Sequence, residues 1–373
     1  MEHRIANVQV SLVSWPVKSG IQDATRKVDS IGMCVVEVTT DQGLKGFGVT
    51  YHEVGGEAVK VLIDKCYADK IIGRTPFETE EIWEELFHYG RGVGRKGLSF
   101  CAISAIDIAL WDLKGKILGM PLYKLLGGTK NRIPVYASGG WTSYSDEELV
   151  DEALTMVGRG YKYIKLKLGV DGGNNIQADI RRCRKVREAI GPDIGFMVDA
   201  NNAFHAADAI RLANSIREYD IMLFEEPVFA DDMPGLKKFA ASADIPLGTG
   251  EHEYTRYGAR DLLLNNAVDY LQMDITRAGG YTEMLKVAAL SQAWNIALAP
   301  HAMEHMHMHL VSAAPNGKFL ERLLLFEDLT NQIYKDGPLP VDGIMEIPDK
   351  PGLGLELNRE FIAENKVEDY GTV

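Results

Sequence analysis

The sequence predicts an α/β fold in which a parallel (β/α) barrel follows a smaller α+β unit. Two observations carry this. From about Arg132 onward, eight short apolar runs, "IPVYASG", "YIKLKLG", "IGFMVDAN", "IMLFEEP", "IPLGTGE", "YLQMDIT", "IALAPH" and "KFLER", alternate with helical stretches. Near-continuous apolar strands separated by helices are what a sheet covered on its outer face requires. No G-x-G-x-x-G follows any of these runs, which weakens the case for an open, doubly wound dinucleotide-binding sheet.

The first third has another texture. Val8, Val10 and Leu12 alternate with Gln9 and Ser11, and "MCVVEVTTDQGLKGFGVTY" reads as two strands about a turn at Asp41, Gln42 and Gly43. "TEEIWEELFHYG" and "GLSFCAISAIDIALWDLKGKILGMP" carry apolar residues at helical spacing, and the second stops at Gly119 with Pro121 just beyond. Ala102, Ala105 and Ala109 give that helix a small-residue face, suited to close packing. The tail "GPLPVDGIMEIPDKPGLGLELN" reads either as an ordered excursion to a last strand, packing back on the first domain, or as a plain C-terminal loop.

Composition bounds the function. The chain of 373 residues is 46% apolar and 25% charged, an ordinary globular balance. A net charge of −13 argues against a nucleic-acid surface. Cys34, Cys66, Cys101 and Cys183 form no C-x-x-C pair, so reduced, cytoplasmic thiols are expected. "MEHRIANVQVSLVSW" alternates like a strand rather than a leader, and no apolar run reaches membrane-spanning length, so neither export nor a membrane is expected.

The strand ends carry the chemistry. In "YIKLKLG", Lys165 and Lys167 share one face, opposite Ile164, Leu166 and Leu168. In a closed barrel that face points inward, where two ammonium groups need anionic partners. Asp199, Glu225 and Glu251 close three successive strands, 26 residues apart each time. Three adjacent carboxylates repel one another, and a divalent cation resolves the repulsion. With oxygen ligands and no thiolate, Mg²⁺ is the expected ion, with Mn²⁺ as a substitute. Glu226 is expected to face away in a structural role, and Asn201 to support metal or substrate.

Asp274 and His301 close the next two strands, 27 residues apart. A carboxylate accepting the imidazole N–H fixes its tautomer and makes it a better base. Glu321 closes the eighth strand. His305, His307 and His309 either form a second, softer metal site or lie on the following loop and helix, facing the N-terminal domain, rim or solvent; the second reading is preferred.

As an ordered set, K-x-K, D-x-N, E-E-P, G-E, D, H and L-E-R on successive strands resembles the mandelate racemase subgroup of the enolase superfamily, over nearly the whole chain. The resemblance implies a modified (β/α)8 TIM-type barrel, (β/α)7β, under an N-terminal α+β capping domain. The expected division is residues 1–128 for the cap, 129–340 for the barrel and 341–373 for a C-terminal segment packing back on the cap. It implies Mg²⁺, one per subunit, on Asp199, Glu225 and Glu251. Lys167 would be the base on one substrate face and His301, backed by Asp274, the acid/base on the other. Lys165 would touch the substrate carboxylate and lower the Lys167 pKa, and Glu321 would bond the other carboxylate oxygen. A proton α to a carboxylate is too weakly acidic for an amine unless the enediolate is stabilised as it forms, which a Lewis acid and its neighbours provide.

The implied reaction is dehydration of an aldonate or aldarate to a 2-keto-3-deoxy acid. Cycloisomerisation of an anhydro-sugar acid or lactone is the nearest alternative, then racemisation or epimerisation of a 2-hydroxy acid. A metal-free Schiff-base lyase and a non-catalytic sugar-acid binder are the readings from other classes. Specificity is expected in "WPVKSGIQDATRK", "TYHEVGG" and "HYGRGVGRKG", where Arg91, Arg95 or Lys96 would meet a distal carboxylate. A small acid-sugar partner and a homo-oligomer are expected.

Overall fold

The computed structural model describes residues 3–18 and 20–367. At the N-terminus, β1 (Ile5–Pro16), β2 (Ser30–Thr40) and β3 (Lys45–His52) form an antiparallel sheet in that order. The helix Leu98–Leu118 lies directly on β3. A Cβ on Gly48 would stand 2.1 Å from the Ala105 carbonyl oxygen, so glycine on the strand and alanine on the helix allow the two backbones to meet. The helix ends at Gly119 in the left-handed conformation, φ 63°, the C-cap its sequence predicts.

The barrel is built from β4 (Arg132–Gly139), β5 (Tyr163–Lys167), β6 (Gly195–Asp199), β7 (Ile221–Glu225), β8 (Leu247–Thr249), β9 (Tyr270–Leu271), β10 (Ala297–Leu298) and β11 (Leu320–Leu323). From β4 to β10 each strand pairs in parallel with the next, and β11 returns to β4. The last seam is closed by the parallel bridge Leu298–Gly317 and by Lys318 N–H donating to the Leu298 carbonyl at 2.9 Å. The fold is therefore a modified (β/α)8 barrel joined to an N-terminal α+β domain. One crossover shows how local sequence sets its boundary. The helix Asp146–Gly158, between β4 and β5, opens with a capping box in which Ser145 and Glu148 satisfy each other's backbone N–H groups.

The N-terminal domain docks on the end of the barrel where the strand carboxyl ends emerge. Trp83 Nε1–H donates to the Gly279 carbonyl at 2.9 Å, Gly279 N–H donates to Ser104 Oγ at 2.8 Å, and Thr282 N–H donates to Asp107 Oδ2 at 3.0 Å.

The C-terminal tail is the ordered excursion rather than a loose loop. Residues Ile344–Glu346 pair antiparallel with the start of β4. Leu353 N–H donates to Asp112 Oδ1 at 2.8 Å, and Val367 N–H donates to the Leu12 carbonyl at 2.8 Å. The stretches 1–2 and 368–373, assigned by sequence to the cap and the tail, lie outside the described residues. Among the described residues, no helix is long and apolar enough to cross a membrane.

Candidate active site

Parallel register brings the strand-end residues together. Lys167 is paired in register with Asp199, and Asp199 with Glu225, so the three stand side by side on β5, β6 and β7. Lys165 and Lys167 are 1% and 5% exposed, as an inward-pointing strand face requires. Lys165 Nζ lies 2.6 Å from Glu225 Oε2 and 2.8 Å from Glu321 Oε1, and Lys167 Nζ lies 2.5 Å from Asp199 Oδ2.

The charges do not follow the sequence expectation at every point. Burial acts to lower the Lys165 pKa, but Glu225 and Glu321 outweigh it and hold the group well above its ordinary value. Burial and Lys165 likewise act to lower Lys167, as expected, yet Asp199 prevails and the net shift is upward. A contacting carboxylate outweighs a like charge that is itself neutralised; the expected depression, from Lys165 together with a bound cation, concerns the metal-loaded site.

Asn201, at φ 42°, turns back on Asp199: its N–H donates to Oδ1 at 2.8 Å and its side-chain amide to Oδ2 at 3.2 Å. Burial raises Glu225 to about 7 against the pull of Lys165. Glu251 goes the other way. Burial acts to raise it, but His301, His252 and Arg277 outweigh that and hold it ionised. Glu225 Oε1, Glu251 Oε2, Glu226 Oε1 and Asn201 Oδ1 are all buried without a hydrogen-bond partner. Buried carboxylate oxygens without hydrogen-bond donors at the ends of two neighbouring strands, with an amide oxygen after a third, are a donor set that fits a hard divalent cation.

Glu226 does not face away. Strand alternation ends at Glu225, and φ 43° at Glu226 rotates its carboxylate inward. There Asn202 donates to its Oε2 at 2.6 Å, and its other oxygen stands 3.5 Å from His252 Nε2. Glu226, Glu251 and His252 offer atoms within 4.8 Å of one another, so Glu226 belongs to the acidic group of the site.

Opposite Lys167 stands His301. Its Nδ1 is 3.2 Å from Asp274 Oδ2 and its Nε2 is 3.3 Å from Glu251 Oε2. Burial acts to lower the imidazole pKa, and Glu251 and Asp274 reverse this to a net rise, favouring the charged ring. Glu321 Oε2 accepts Ala302 N–H at 2.8 Å, tying the end of β11 to the residue after His301.

His305, His307 and His309 are neither a metal group nor surface residues. They are 1%, 0% and 0% exposed. Each holds one ring nitrogen on backbone: His305 Nε2 on the Pro338 carbonyl at 2.9 Å, His307 Nδ1 on the Ala302 carbonyl at 2.8 Å, and His309 Nε2 on the Leu353 carbonyl at 3.1 Å, while Nδ1 of His305 and of His309 has no hydrogen-bond partner among the described residues. The expectation that they face rim or solvent is corrected, because the helix Glu304–Ala313 is buried all round.

A cavity lies between cap and barrel, with Arg26, Tyr51 and Glu53 above and Lys167, Asn201 and His301 below. Arg91 and Arg95 are exposed, and neither lines it. Arg95 faces a separate depression beside Phe87 and Tyr257, while Lys96 lines a hollow adjoining the cavity and pairs with Glu253 at 3.0 Å. The cation carried to the cavity from the cap is Arg26, on the loop after β1. Sequence reasoning named that loop but not the residue. It also missed Gln272, which donates to Glu225 Oε2 at 2.5 Å, and Arg277, 3.8 Å from Glu251 Oε1 with its guanidinium 4.5 Å from the Tyr51 ring centroid. Gln272 had a readable signal, since it lies two residues before Asp274 and so on the same strand face. Arg277 had none, because it lies beyond the strand.

Residues 5–127 match the mandelate racemase / muconate lactonizing enzyme N-terminal domain, and residues 148–361 match the enolase C-terminal domain-like family. The chain is 34% identical to the L-talarate/galactarate dehydratase of Salmonella typhimurium over 96% of its own length and 90% of the relative's. It is 31% identical to the D-galactarolactone cycloisomerase of Agrobacterium fabrum, over 98% of this chain and 100% of that one. Among solved structures, the Salmonella typhimurium dehydratase liganded with Mg and L-lyxarohydroxamate superposes with a TM-score of 0.92 at 32% identity, covering 99% of this chain and 94% of that one.

Proposed function

The chain belongs to the mandelate racemase / muconate lactonizing enzyme family of the enolase superfamily, and from that premise we propose that it is an Mg²⁺-dependent acid-sugar dehydratase. The reaction removes the proton α to a carboxylate of an aldonate or aldarate and expels the β-hydroxyl, giving a 2-keto-3-deoxy acid. The observation that carries this is that Lys167 and His301 line one cavity, beside buried carboxylate oxygens that lack hydrogen bonds. The dehydratase and cycloisomerase named among the relatives support it.

Asp199, Glu225 and Glu251 would hold the cation, which when bound supplies Lewis-acid stabilisation of charge developing on the substrate carboxylate. Lys167 enters as the free amine, so its pairing with Asp199 must be broken first. Burial and Lys165 then both favour the neutral form. The α C–H bond breaks, its proton passes to Lys167 Nζ, and the electron pair spreads onto the carboxylate, where Lys165 binds and where Glu321 would bind only after taking up a proton that it can donate. His301 gives its proton to the β-oxygen as the C–O bond breaks. The hydroxyl leaves as water, and the enol product tautomerises to the keto acid. Arg91 and Arg95, exposed and off the cavity, have no part in this reading.

Homo-oligomeric assembly and a cytoplasmic location complete the proposal, the second supported by four free cysteines. The division into cap (1–128), barrel (129–340) and returning tail (341–373) belongs to it as well.

The test is incubation with Mg²⁺ and a panel of sugar acids in D₂O, following α-deuterium uptake and 2-keto acid formation for the wild type, Lys167→Ala and His301→Asn. Wild-type elimination that both variants lose is the expected result. Exchange without elimination would make the enzyme an epimerase, ring isomerisation of a lactone a cycloisomerase, and no exchange with any acid sugar would defeat the reading.

A further inference from the structure

We propose that the acid sugar taken by this site is a monocarboxylate, an aldonate, whose distal hydroxyls are read by Arg26, held by Asp23, and by Glu53, and that dicarboxylates are disfavoured. This rests on the dehydratase reading and narrows it. The reacting end of the cavity is defined by Lys167 and His301, so the far end of a bound sugar acid points to the cap side, where Arg26 and Glu53 line the wall.

The charge there is already matched. Arg26 Nε donates to Asp23 Oδ2 at 3.2 Å, and its Nη1 is bonded to Glu53 Oε2. Asp23 is further fixed by Thr25 N–H at 2.7 Å and Arg26 N–H at 2.9 Å. One guanidinium between two carboxylates leaves the group net negative. A second substrate carboxylate would be repelled by it, and could reach Arg26 only by displacing Asp23 or Glu53. Those side chains are 4% and 12% exposed, so either would be left as a poorly hydrated charge without its cation.

The adjoining hollow offers no substitute, since Lys96 there holds Glu253 at 3.0 Å. Neutral hydroxyls meet no such penalty. The Arg26 side chain is 49% exposed, and its guanidinium carries five N–H donors, more than these two contacts need. It can donate to a sugar hydroxyl oxygen while the Glu53 carboxylate accepts a hydroxyl proton. A site arranged for hydroxyl donors discriminates strongly against an analogue that lacks them.

The experiment compares matched pairs of the same configuration, gluconate with glucarate and galactonate with galactarate among them, on the Mg²⁺-loaded full chain. The expected result is kcat/KM at least ~100-fold higher for the aldonate of any pair turned over. Glu53→Gln, which removes one negative charge, should narrow that ratio by about tenfold or more. Binding is read separately from the thermal shift that each acid produces in Lys167→Ala or His301→Asn. A larger shift with aldonates supports the inference. Equal or better turnover of aldarates, or a larger shift with them, overturns it while leaving the dehydratase reading intact. If no acid exchanges its α-proton, the dehydratase reading fails and the thermal shifts still decide which class the pocket takes. A shift with neither class overturns both.

Discussion

His301 Nδ1 lies 3.2 Å from Asp274 Oδ2 across two adjacent strand ends, and both side chains are buried. Asp274 is held in turn by Thr276, whose N–H and hydroxyl donate to its other oxygen at 2.7 and 2.8 Å. The carboxylate therefore keeps a proton on Nδ1 and turns Nε2 toward the cavity. Replacing Asp274 by Asn should lower kcat by roughly 10²–10⁴-fold with a small change in KM. Steady-state kinetics on the acid sugar found by the panel checks this, and a loss below threefold would remove Asp274 from the mechanism.

Metal binding should appear as stability. Because Glu225 Oε1 and Glu251 Oε2 are buried without hydrogen bonds, the second facing the His301 ring, a divalent cation should bind the folded state and raise Tm with its concentration. Mg²⁺ or Mn²⁺ added to chelator-treated protein should raise Tm and restore activity. Asp199→Asn and Glu251→Gln should abolish the rise. An unchanged rise in both variants would place the ion elsewhere.

The contact between cap and barrel depends on a glycine. Gly280 has φ 75°, and a Cβ there would stand 2.3 Å from Asp107 Oδ2. Gly119 also lies in the left-handed region, φ 63° and ψ 26°, with nothing within 4 Å of its Cβ position. Gly280→Ala should therefore cost about 2–4 kcal/mol, strain plus overpacking, while Gly119→Ala should cost only the strain, about 1 kcal/mol. Chemical denaturation of the two variants gives the comparison. Equal losses would mean that the Asp107 contact is slack.

Buried histidines make the fold sensitive to acid. Burial lowers His309 to about 3, below the ordinary value of 6.5, against its bond to the Leu353 carbonyl. Folded His309 stays neutral while the unfolded chain takes up a proton, so its contribution is complete above pH 6.5 and is lost as pH falls toward 3. The slope is roughly 1.4 kcal/mol per pH unit well inside that window. His309→Gln should shrink the stability difference between pH 7 and pH 5 by about 2 kcal/mol. Some acid sensitivity should remain, since burial lowers His305 and His307 too. Identical pH profiles for variant and wild type would show that folding leaves the proton affinity of His309 unchanged.

The barrel and much of the site were readable in one dimension because strand periodicity is local. Lys165 and Lys167 share a face by alternation, and a strand-end carboxylate lands at the barrel mouth wherever its strand sits in the ring. Asp274 and His301 become neighbours once their strands are consecutive. The reading failed where the period stopped. Glu226 lies one residue past a strand, and its backbone turns it inward. His305, His307 and His309 look like a polar stripe until the burial of their whole helix is known.

By itself, then, the sequence determined the order of strands, the residues on their inward faces and the family of chemistry those residues serve. Tertiary structure decided what stands over them. Arg26 rather than Arg91 or Arg95 reaches the cavity because Trp83, Ser104 and Asp107 dock the cap in one orientation on Gly279 and Thr282. The charge at the far end of the cavity depends on pairing among residues from different loops, Asp23 and Glu53 with Arg26. No periodic pattern encodes such contacts, because they arise only when separate elements are packed against one another.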